Sequence, residues 1–349
     1  MQRLLALPYR PLPGGPSRTS ERGATLLLTI VICALLSLLA VGQLARGRRG
    51  LQQTHQRIAQ RQMEWAASGA LTLAQAALVA DPTRTVDHPA EPWGSPIGPI
   101  AIGSTACTLE VEDLQARLNL NNLGLREEST ARAFALVVRN FLTVCEIPDA
   151  YRSAEAIQDW IDSNDLGWAE ASIYQQRTPP HGAKNKPIDD LGELRTVQGI
   201  PDALWQRIQN PRVLQYPGAP ADLLTILPHI ADSSSWTRIN LNTAPLPVLL
   251  ALFGPAQRGA AESILLLREQ GPILGVDRIA PLLPAGILDG ARRWIDVRSD
   301  YYRVTVTVEQ QTATLKWSAD MNRLDMDRNI GLRLWTERKP DRFGHFPPE

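Results

Sequence analysis

An uninterrupted apolar segment near the N-terminus constrains the fold of this chain more than any other feature. Residues 23–45 read GATLLLTIVICALLSLLAVGQLA and contain no charged side chain. A helix of this length crosses a hydrocarbon core of about 30 Å, and it exceeds the roughly 7 to 15 apolar residues of a secretory signal peptide. We therefore predict a transmembrane helix over residues 24–45. The alternative is a signal peptide cleaved near Ala40-Val41-Gly42, which would release a soluble protein.

Arginines flank this segment on both sides, so the positive-inside rule does not assign its orientation. Four arginines precede the segment and five follow it within 16 residues: Arg3, Arg10, Arg18 and Arg22, then Arg46, Arg48, Arg49, Arg57 and Arg61.

The residues before the apolar segment resemble a class III, or prepilin, leader. Glu21-Arg22-Gly23 stands directly before the segment, and residues 1–23 are basic, as such leaders are. In that family a membrane peptidase cuts after the glycine on the cytoplasmic side and methylates the new N-terminus. The resemblance therefore implies cleavage between Gly23 and Ala24. Most pilins have a glutamate at the fifth mature position, whereas Leu28 stands here, as in the K-type minor pseudopilins, which lack that glutamate.

The helical pattern continues beyond the membrane segment. Residues 46–81 contain no proline and repeat apolar residues at helical spacing. We predict that this helix continues to Asp81-Pro82 and that its apolar stripe packs on a sheet and on neighbouring subunits. The proline-rich stretch Pro82–Pro99 is predicted to be a loop. The stripe consists of Leu51, Ile58, Met63, Ala66, Ala70, Leu73 and Ala77.

Strand patterns stand at both ends of the remaining chain. Apolar and polar residues alternate along Cys107–Asp113, and the same period recurs over residues 302–309 and 313–319. Ile330–Trp335 is a further strand candidate. Between the two ends the chain reads as helices: Glu127–Val144, Ala154–Ile161, Asp189–Val197, Ala203–Gln209, Pro245–Phe253 and Ala260–Glu269.

This order of elements predicts an α+β fold in which a long N-terminal helix packs on a small antiparallel sheet, as in pilins. The sheet domain is assigned to residues 106–124 and 298–337, and residues 338–349 form a tail. A large all-helical domain, residues 125–297, is inserted into the sheet domain and contains units that resemble helix-hairpin-helix motifs.

Five separate stretches resemble the K-type minor pseudopilins of the type II secretion system, and they occur in the order found in that family. Their combination is far more specific than any one of them. The stretches are ARLNLNNL at 116–123, DWIDSND at 159–165, PIDDLGELR at 187–195, INLNTAP at 239–245 and RSDYY at 298–302.

The resemblance implies a component of the pseudopilus tip, not an enzyme. K-type proteins cap the periplasmic pseudopilus together with the I- and J-type minor pseudopilins, and they support protein export across the outer membrane. The implied partners also include the major pseudopilin and the prepilin peptidase. The implied location is the bacterial inner membrane, crossed once, with the C-terminal domain in the periplasm.

A cluster of carboxylates in the inserted domain predicts a metal site. Residues 146–193 contain ten acidic and four basic residues, and the densest part reads DWIDSNDLGWAE. Crowded carboxylates favour a hard cation that takes six to eight oxygen ligands, and the alternative is a solvated helix end. K-type proteins bind calcium in this region, so the resemblance implies one or two structural calcium ions. Ala171 replaces the aspartate that usually follows Glu170 in the family, which weakens the case for a second ion. The predicted ligands are Asp162, Asp165 and Glu170, with Asp159 as a further candidate.

Three cysteines are present, and Cys33 lies inside the apolar segment. Cys107 and Cys145 are therefore left as either a disulfide in an oxidising compartment or two buried free thiols.

DNA binding is the second functional class to consider. Residues 239–272 resemble the helix-hairpin-helix of DNA-uptake receptors, and residues 197–201 resemble a weaker copy. The chain, however, has no net charge and only four lysines, and Pro255 stands where the hairpin turn needs an N–H donor to a phosphate. A membrane-anchored DNA-uptake protein is thus the alternative function, and the main interpretation includes no nucleic acid. The five histidines occur in no metal or nucleophile signature, so no catalytic residue is predicted.

Overall fold

Helix α1, Arg18–Val79, contains the predicted membrane segment and its continuation without a break. The computed structural model describes residues 18–200, 202–214, 216–227, 236–311 and 313–323, with side chains from residue 23 onward. The chain divides into two units, residues 1–62 and 63–349. In the described part of the first unit, residues 23–62, the large apolar side chains are exposed, and α1 is long and apolar enough to cross a membrane.

Some predictions fall on residues outside the described ranges. These are most of the leader (residues 1–17), the strand Ile330–Trp335 and the tail 338–349.

The second unit contains a four-stranded antiparallel sheet with the strand order β1-β2-β7-β8. The three strands that alternate in sequence are formed: β2 is Thr105–Asp113, β7 is Tyr301–Gln310 and β8 is Ala313–Asn322. The prediction that Pro82–Pro99 is a loop throughout is wrong at its end. The first strand, β1 (Ile97–Ile102), overlaps this stretch with its N-terminal half. Pro99 is tolerated there since β1 is an edge strand and its register shifts between Ile97 and Ile100.

The C-terminal part of α1 packs on this sheet. Small and apolar residues recur along the helix at helical spacing, and they pack on the apolar face of β2, β7 and β8. Met63, Ala66 and Ala70 of the predicted stripe are buried there, whereas Leu73 and Ala77 are exposed, which corrects their assignment to the sheet contact. The buried helix residues are Met63, Ala66, Ala67, Ala70, Leu71, Ala74 and Leu78.

The helical domain is inserted between β2 and β7. Its largest helix, α2 (Glu128–Val144), buries Phe134, Val138 and Phe141 along one side and packs against α3 and α6. The other helices are α3 (Ala150–Ile161), α4 (Ala171–Tyr174), α5 (Asp202–Ile208), α6 (Leu246–Phe253), α7 (Arg258–Glu269) and α8 (Ile287–Ala291). Two parallel strand pairs complete it: β3 (Leu118–Asn119) with β4 (Leu224–Thr225), and β5 (Ile239–Asn240) with β6 (Ile295–Asp296).

The structure places two predicted boundaries differently. Residues 116–124 were assigned to the sheet domain, but Leu118, Leu120 and Leu123 lie in the hydrophobic cluster of the helical domain. The predicted helix Asp189–Val197 is only a 3-10 turn over Leu191–Arg195, which a capping box from Asp190 and Glu193 begins.

The two cysteines left open by the sequence are both free thiols in the structure. Cys107 lies in the cluster between α1 and the sheet, and Cys145 lies in the cluster of the helical domain. Their positions in separate cores explain why they do not pair, so the disulfide is not formed. Burial raises the pKa of Cys145 to about 12, which keeps this thiol protonated.

Candidate functional site

The predicted metal ligands lie at and beyond the C-terminal end of α3. Asp159 belongs to the last turn of α3, and its Oδ2 accepts a hydrogen bond from the Ala169 N–H at 2.9 Å. This bond folds the following loop back onto the helix. Gly167 makes the fold possible, because a Cβ at that position would overlap the Asp159 carboxylate.

Asp162 and Glu170 are buried carboxylates next to this loop, exposed by only 7% and 6%. Loss of solvent raises the pKa of Asp162 to about 6, and the nearby Asp159 adds to this rise. Loss of solvent also raises the pKa of Glu170 to about 7, with further contributions from Asp159, Asp162 and Asp165. The four predicted ligands therefore form one electrostatically coupled set, which we call the acidic loop site.

Both carboxylate oxygens of Glu170 are buried and have no hydrogen-bond partner. A buried, unpaired carboxylate is costly, so such groups normally have a cation or donors beside them. Within the described ranges no lysine or arginine forms an ion pair with any residue of the acidic loop site. Lys184, which is close in sequence, pairs instead with Asp189 and Glu193, each at 2.8 Å. These observations fit a bound cation with oxygen ligands.

Asn185 is a member of this region that the sequence did not reveal. Its Nδ2 donates to Asp165 at 3.1 Å, and its backbone N–H donates to the Trp160 carbonyl at 3.0 Å. Its Oδ1 is buried without a partner, which makes it a further candidate oxygen ligand. Asp165, by contrast, is exposed. No local pattern marks Asn185, because it comes 20 residues after Asp165 in the chain.

A second group of carboxylates is packed more closely, but an arginine side chain neutralises it. Among the described residues, the acidic oxygens that all lie within 4.8 Å of one another are those of Asp81, Asp87 and Glu91. Nη2 of Arg323 approaches Asp87 at 2.7 Å and Asp81 at 3.3 Å, and the guanidinium lies over the Tyr302 ring. This group is therefore a buried ion-pair cluster. The oxygens of the acidic loop site are more widely spaced and have to approach one another to share an ion.

A buried polar network joins the sheet to the helical domain, and we call it the junction network. Asp87 accepts hydrogen bonds from the Tyr302 hydroxyl at 2.7 Å and from the Ser299 N–H at 2.7 Å. Asp113, at the end of β2, accepts from the Ser299 hydroxyl at 2.6 Å and from Asn240 of β5 at 3.1 Å. Burial raises the pKa of Asp113 to about 6. The network thus connects the strands that enter and leave the insertion.

The asparagines of the family-like stretches hold loops together. Asn121 bonds to both the N–H and the carbonyl of Ile188, at 2.7 and 3.1 Å. Asn242 makes the same pair of bonds to Ile273, at 2.8 and 3.1 Å. Each side chain replaces a backbone partner, which satisfies two buried backbone groups at once. These motifs therefore stabilise the helical domain.

The hairpin considered for DNA binding is formed by α6, a turn at Pro255–Gln257 and α7. Its α6 helix is buried along nearly its whole length. Nη1 of Arg268 donates hydrogen bonds to the Leu241 and Ala244 carbonyls, at 3.2 and 2.7 Å. In this hairpin α6 thus packs in the hydrophobic core, and Arg268 bonds to the backbone of the same domain.

The predicted processing residues lie at the N-terminal part of α1. Gly23 and Ala24 are both exposed there.

Two family models match the chain, and both are described as type II secretion system (T2SS), protein K. The first matches residues 116–217 and the second matches residues 239–300. Together they cover most of the inserted domain, including the acidic loop site.

Curated relatives and a solved structure agree with these matches. Type II secretion system protein K of Klebsiella pneumoniae is 28% identical over 305 residues, which cover 82% of this chain and 88% of the relative. The protein of the same name from Pectobacterium carotovorum subsp. carotovorum is 27% identical, with 83% and 89% covered. The crystal structure of the GspK-GspI-GspJ complex from enterotoxigenic Escherichia coli contains a chain with the same fold, at a TM-score of 0.62 and 23% identity, with 82% of this chain and 99% of that chain covered. The two family models and the relatives, together with the sheet and its inserted domain, support the identification of this chain as a K-type minor pseudopilin of the type II secretion system.

Proposed function

We propose that the protein caps the tip of a periplasmic pseudopilus, in a complex with I- and J-type minor pseudopilins, and so supports export across the outer membrane. The observation that carries this proposal is the helical domain inserted into a pilin-like sheet, which matches the K-type chain of a solved complex over 99% of that chain's length. In that solved complex GspK is assembled with GspI and GspJ. The proposed role is structural.

The inserted domain favours a place at the tip. It lies between β2 and β7 and spans nearly 190 residues, far more than the sheet that carries it. A fibre interior holds subunits closely around their packed N-terminal helices. A domain of this size at the end of the sheet fits best where no further subunit follows.

Exposed apolar side chains on α1 supply a surface for these partners. Leu51 and Ile58 in the first unit are 63% and 51% exposed, and Trp65 and Leu73 in the second unit are 75% and 51% exposed. The first three follow one another at seven-residue intervals, the spacing typical of helices that pack along one another. Large exposed apolar groups are also typical of protein interfaces. We expect the helices of neighbouring pseudopilins to cover them.

Leu73→Asp is expected to reduce co-purification with the I- and J-type partners at least tenfold, because it places a charge in this contact, a cost of about 1.4 kcal/mol or more. The full-length chain and its tagged partners are co-expressed and isolated from membranes. The matched control is Leu266→Asp in α7, since Leu266 is similarly exposed at 58% but lies in the helical domain. Equal recovery of the partners with both variants would contradict a contact through α1.

We also propose that calcium binds the acidic loop site. Asp159, Asp162 and Glu170 would hold the ion with Asp165, and Asn185 is a further candidate. The support is the unpartnered buried carboxylate of Glu170 and the uncompensated charge around it. The ion would neutralise these carboxylates and hold the loop over residues 162–187 against α3. Its role would be structural, and the oxygen-only ligand set favours calcium over zinc.

Processing completes the proposed pathway. The prepilin peptidase would cut between Gly23 and Ala24 and methylate the new N-terminus. The apolar part of α1 would then anchor the protein in the inner membrane by one crossing, with the folded unit in the periplasm, until it joins the major pseudopilin.

A further inference from the structure

Three arginines follow the apolar segment of α1 directly, within four residues. Arg46, Arg48 and Arg49 are all exposed in the structure. No aspartate or glutamate occurs between Glu21 and Glu64. Salt bridges along a helix form between residues three or four positions apart, so these arginines have no acidic partner within reach on their own helix.

Along the helix axis, these arginines lie where the hydrocarbon core of a membrane would end. Residues 24–45 span about 33 Å as a helix, slightly more than a hydrocarbon core of about 30 Å. The three arginines follow within about 5 Å of helix axis. If α1 crosses the bilayer along residues 24–45, this band falls at the phospholipid headgroups on the side of the folded unit.

The arginines also spread around the helix. At about 100° per residue, Arg46, Arg48 and Arg49 cover an arc of roughly 160°. Gly47 and Gly50 are on the remaining side, where a neighbouring helix can approach closely. A thin, wide band of charge matches a layer of headgroups, whereas a contact with one acidic helix would place the charges in a line along the axis.

We propose that Arg46, Arg48 and Arg49 bind the phosphates of anionic phospholipids and thereby fix the depth of α1 in the membrane. The proposal rests on the proposed function, because it requires α1 to cross the bilayer. Guanidinium groups bind phosphate oxygens in pairs, and clusters of basic residues beside a membrane helix attract anionic lipids. The contacts would hold the subunit at one depth until assembly draws it out of the membrane.

The test compares two variants that each remove two positive charges from the full-length chain. R48Q/R49Q removes charges from the band, and R57Q/R61Q removes charges about 13 to 18 Å further along the helix. Purified protein in detergent is titrated with dioleoyl-phosphatidylglycerol or dioleoyl-phosphatidylcholine, and bound lipid is counted by native mass spectrometry. We expect R48Q/R49Q to weaken phosphatidylglycerol binding at least fivefold, with phosphatidylcholine binding unchanged and R57Q/R61Q like wild type.

Two results would overturn the proposal. One is phosphatidylglycerol binding that is equal in all three proteins, or that falls equally in both variants. The other is unchanged lipid binding by R48Q/R49Q together with loss of the partner pseudopilins on co-purification, which would assign the band to an acidic protein surface. Failure of the proposed function is seen separately, because the wild-type chain would then be released from membranes by alkaline carbonate.

Discussion

Calcium is expected to raise the melting temperature of the wild-type chain by about 5 °C over EDTA, and to leave the melting temperature of Glu170→Gln unchanged. A ligand at a hundredfold excess over its Kd stabilises the folded state by about 2.7 kcal/mol, and a chain of this size shifts by about 2 °C per kcal/mol. Glu170→Gln removes the carboxylate whose oxygens are buried without a partner.

Glu170→Gln has a second expected effect, which is a gain in stability when calcium is absent. In EDTA, Glu170→Gln is expected to melt above wild type, because it removes a buried charge that Asp159, Asp162 and Asp165 repel. A residue that only packs the loop would not combine a gain in EDTA with loss of the calcium response.

The control is Asp149→Asn, another acid-to-amide change in the same domain. Asp149 is 64% exposed and has a left-handed backbone, which asparagine accepts. It should keep the full calcium response. Differential scanning fluorimetry of the detergent-solubilised chain measures all three proteins. A wild-type chain that melts at the same temperature in calcium and in EDTA would contradict the proposed site.

Arg323→Met is expected to lower the free energy of unfolding by about 3 to 5 kcal/mol, the second large effect. The change leaves the fully buried Asp87 without its cation, and breaking a buried ion pair from one side is strongly destabilising. The Tyr302 ring also loses the guanidinium that lies over it. Because Asp87 also accepts a hydrogen bond from the N–H of Ser299, two residues before β7, we expect the attachment of the inserted domain to weaken as well.

Unfolding in guanidinium chloride measures this change. The chain used begins at residue 46 and so lacks the apolar segment, since the described hydrophobic clusters include only residues from Met63 onward. The control is Arg132→Met, which breaks an exposed pair with Glu128 and should cost no more than about 0.5 kcal/mol. A loss below about 1 kcal/mol for Arg323→Met would contradict the role of the buried ion-pair cluster.

The elements with a clear local period were predictable from sequence. Helix α1 and strands β2, β7 and β8 were confirmed because their apolar residues repeat at helical or strand spacing. Strand β1 was missed because its Gly98 and Pro99 are typical of loops, and only pairing with β2 makes it a strand. The motif stretches predicted the family correctly.

The site was predictable in part. The acidic residues stand close together in sequence, so their clustering was visible, although the metal itself stays a proposal. Asn185, the junction network and the buried ion-pair cluster were not visible, because long-range contacts create them. Arg323 and Asp87, for example, are 236 residues apart in the chain, and neither belongs to a local pattern. The free thiols Cys107 and Cys145 likewise depend on which core each segment enters.

The central claim is that this chain is processed and assembled as a minor pseudopilin, and the state of its N-terminus tests it most directly. The full-length protein is extracted from the membranes of its host, and its N-terminal sequence and intact mass are determined. We expect a chain that begins at Ala24 and carries one added methyl group. A chain that still begins at Met1, or one that begins near Gln43, would contradict the claim.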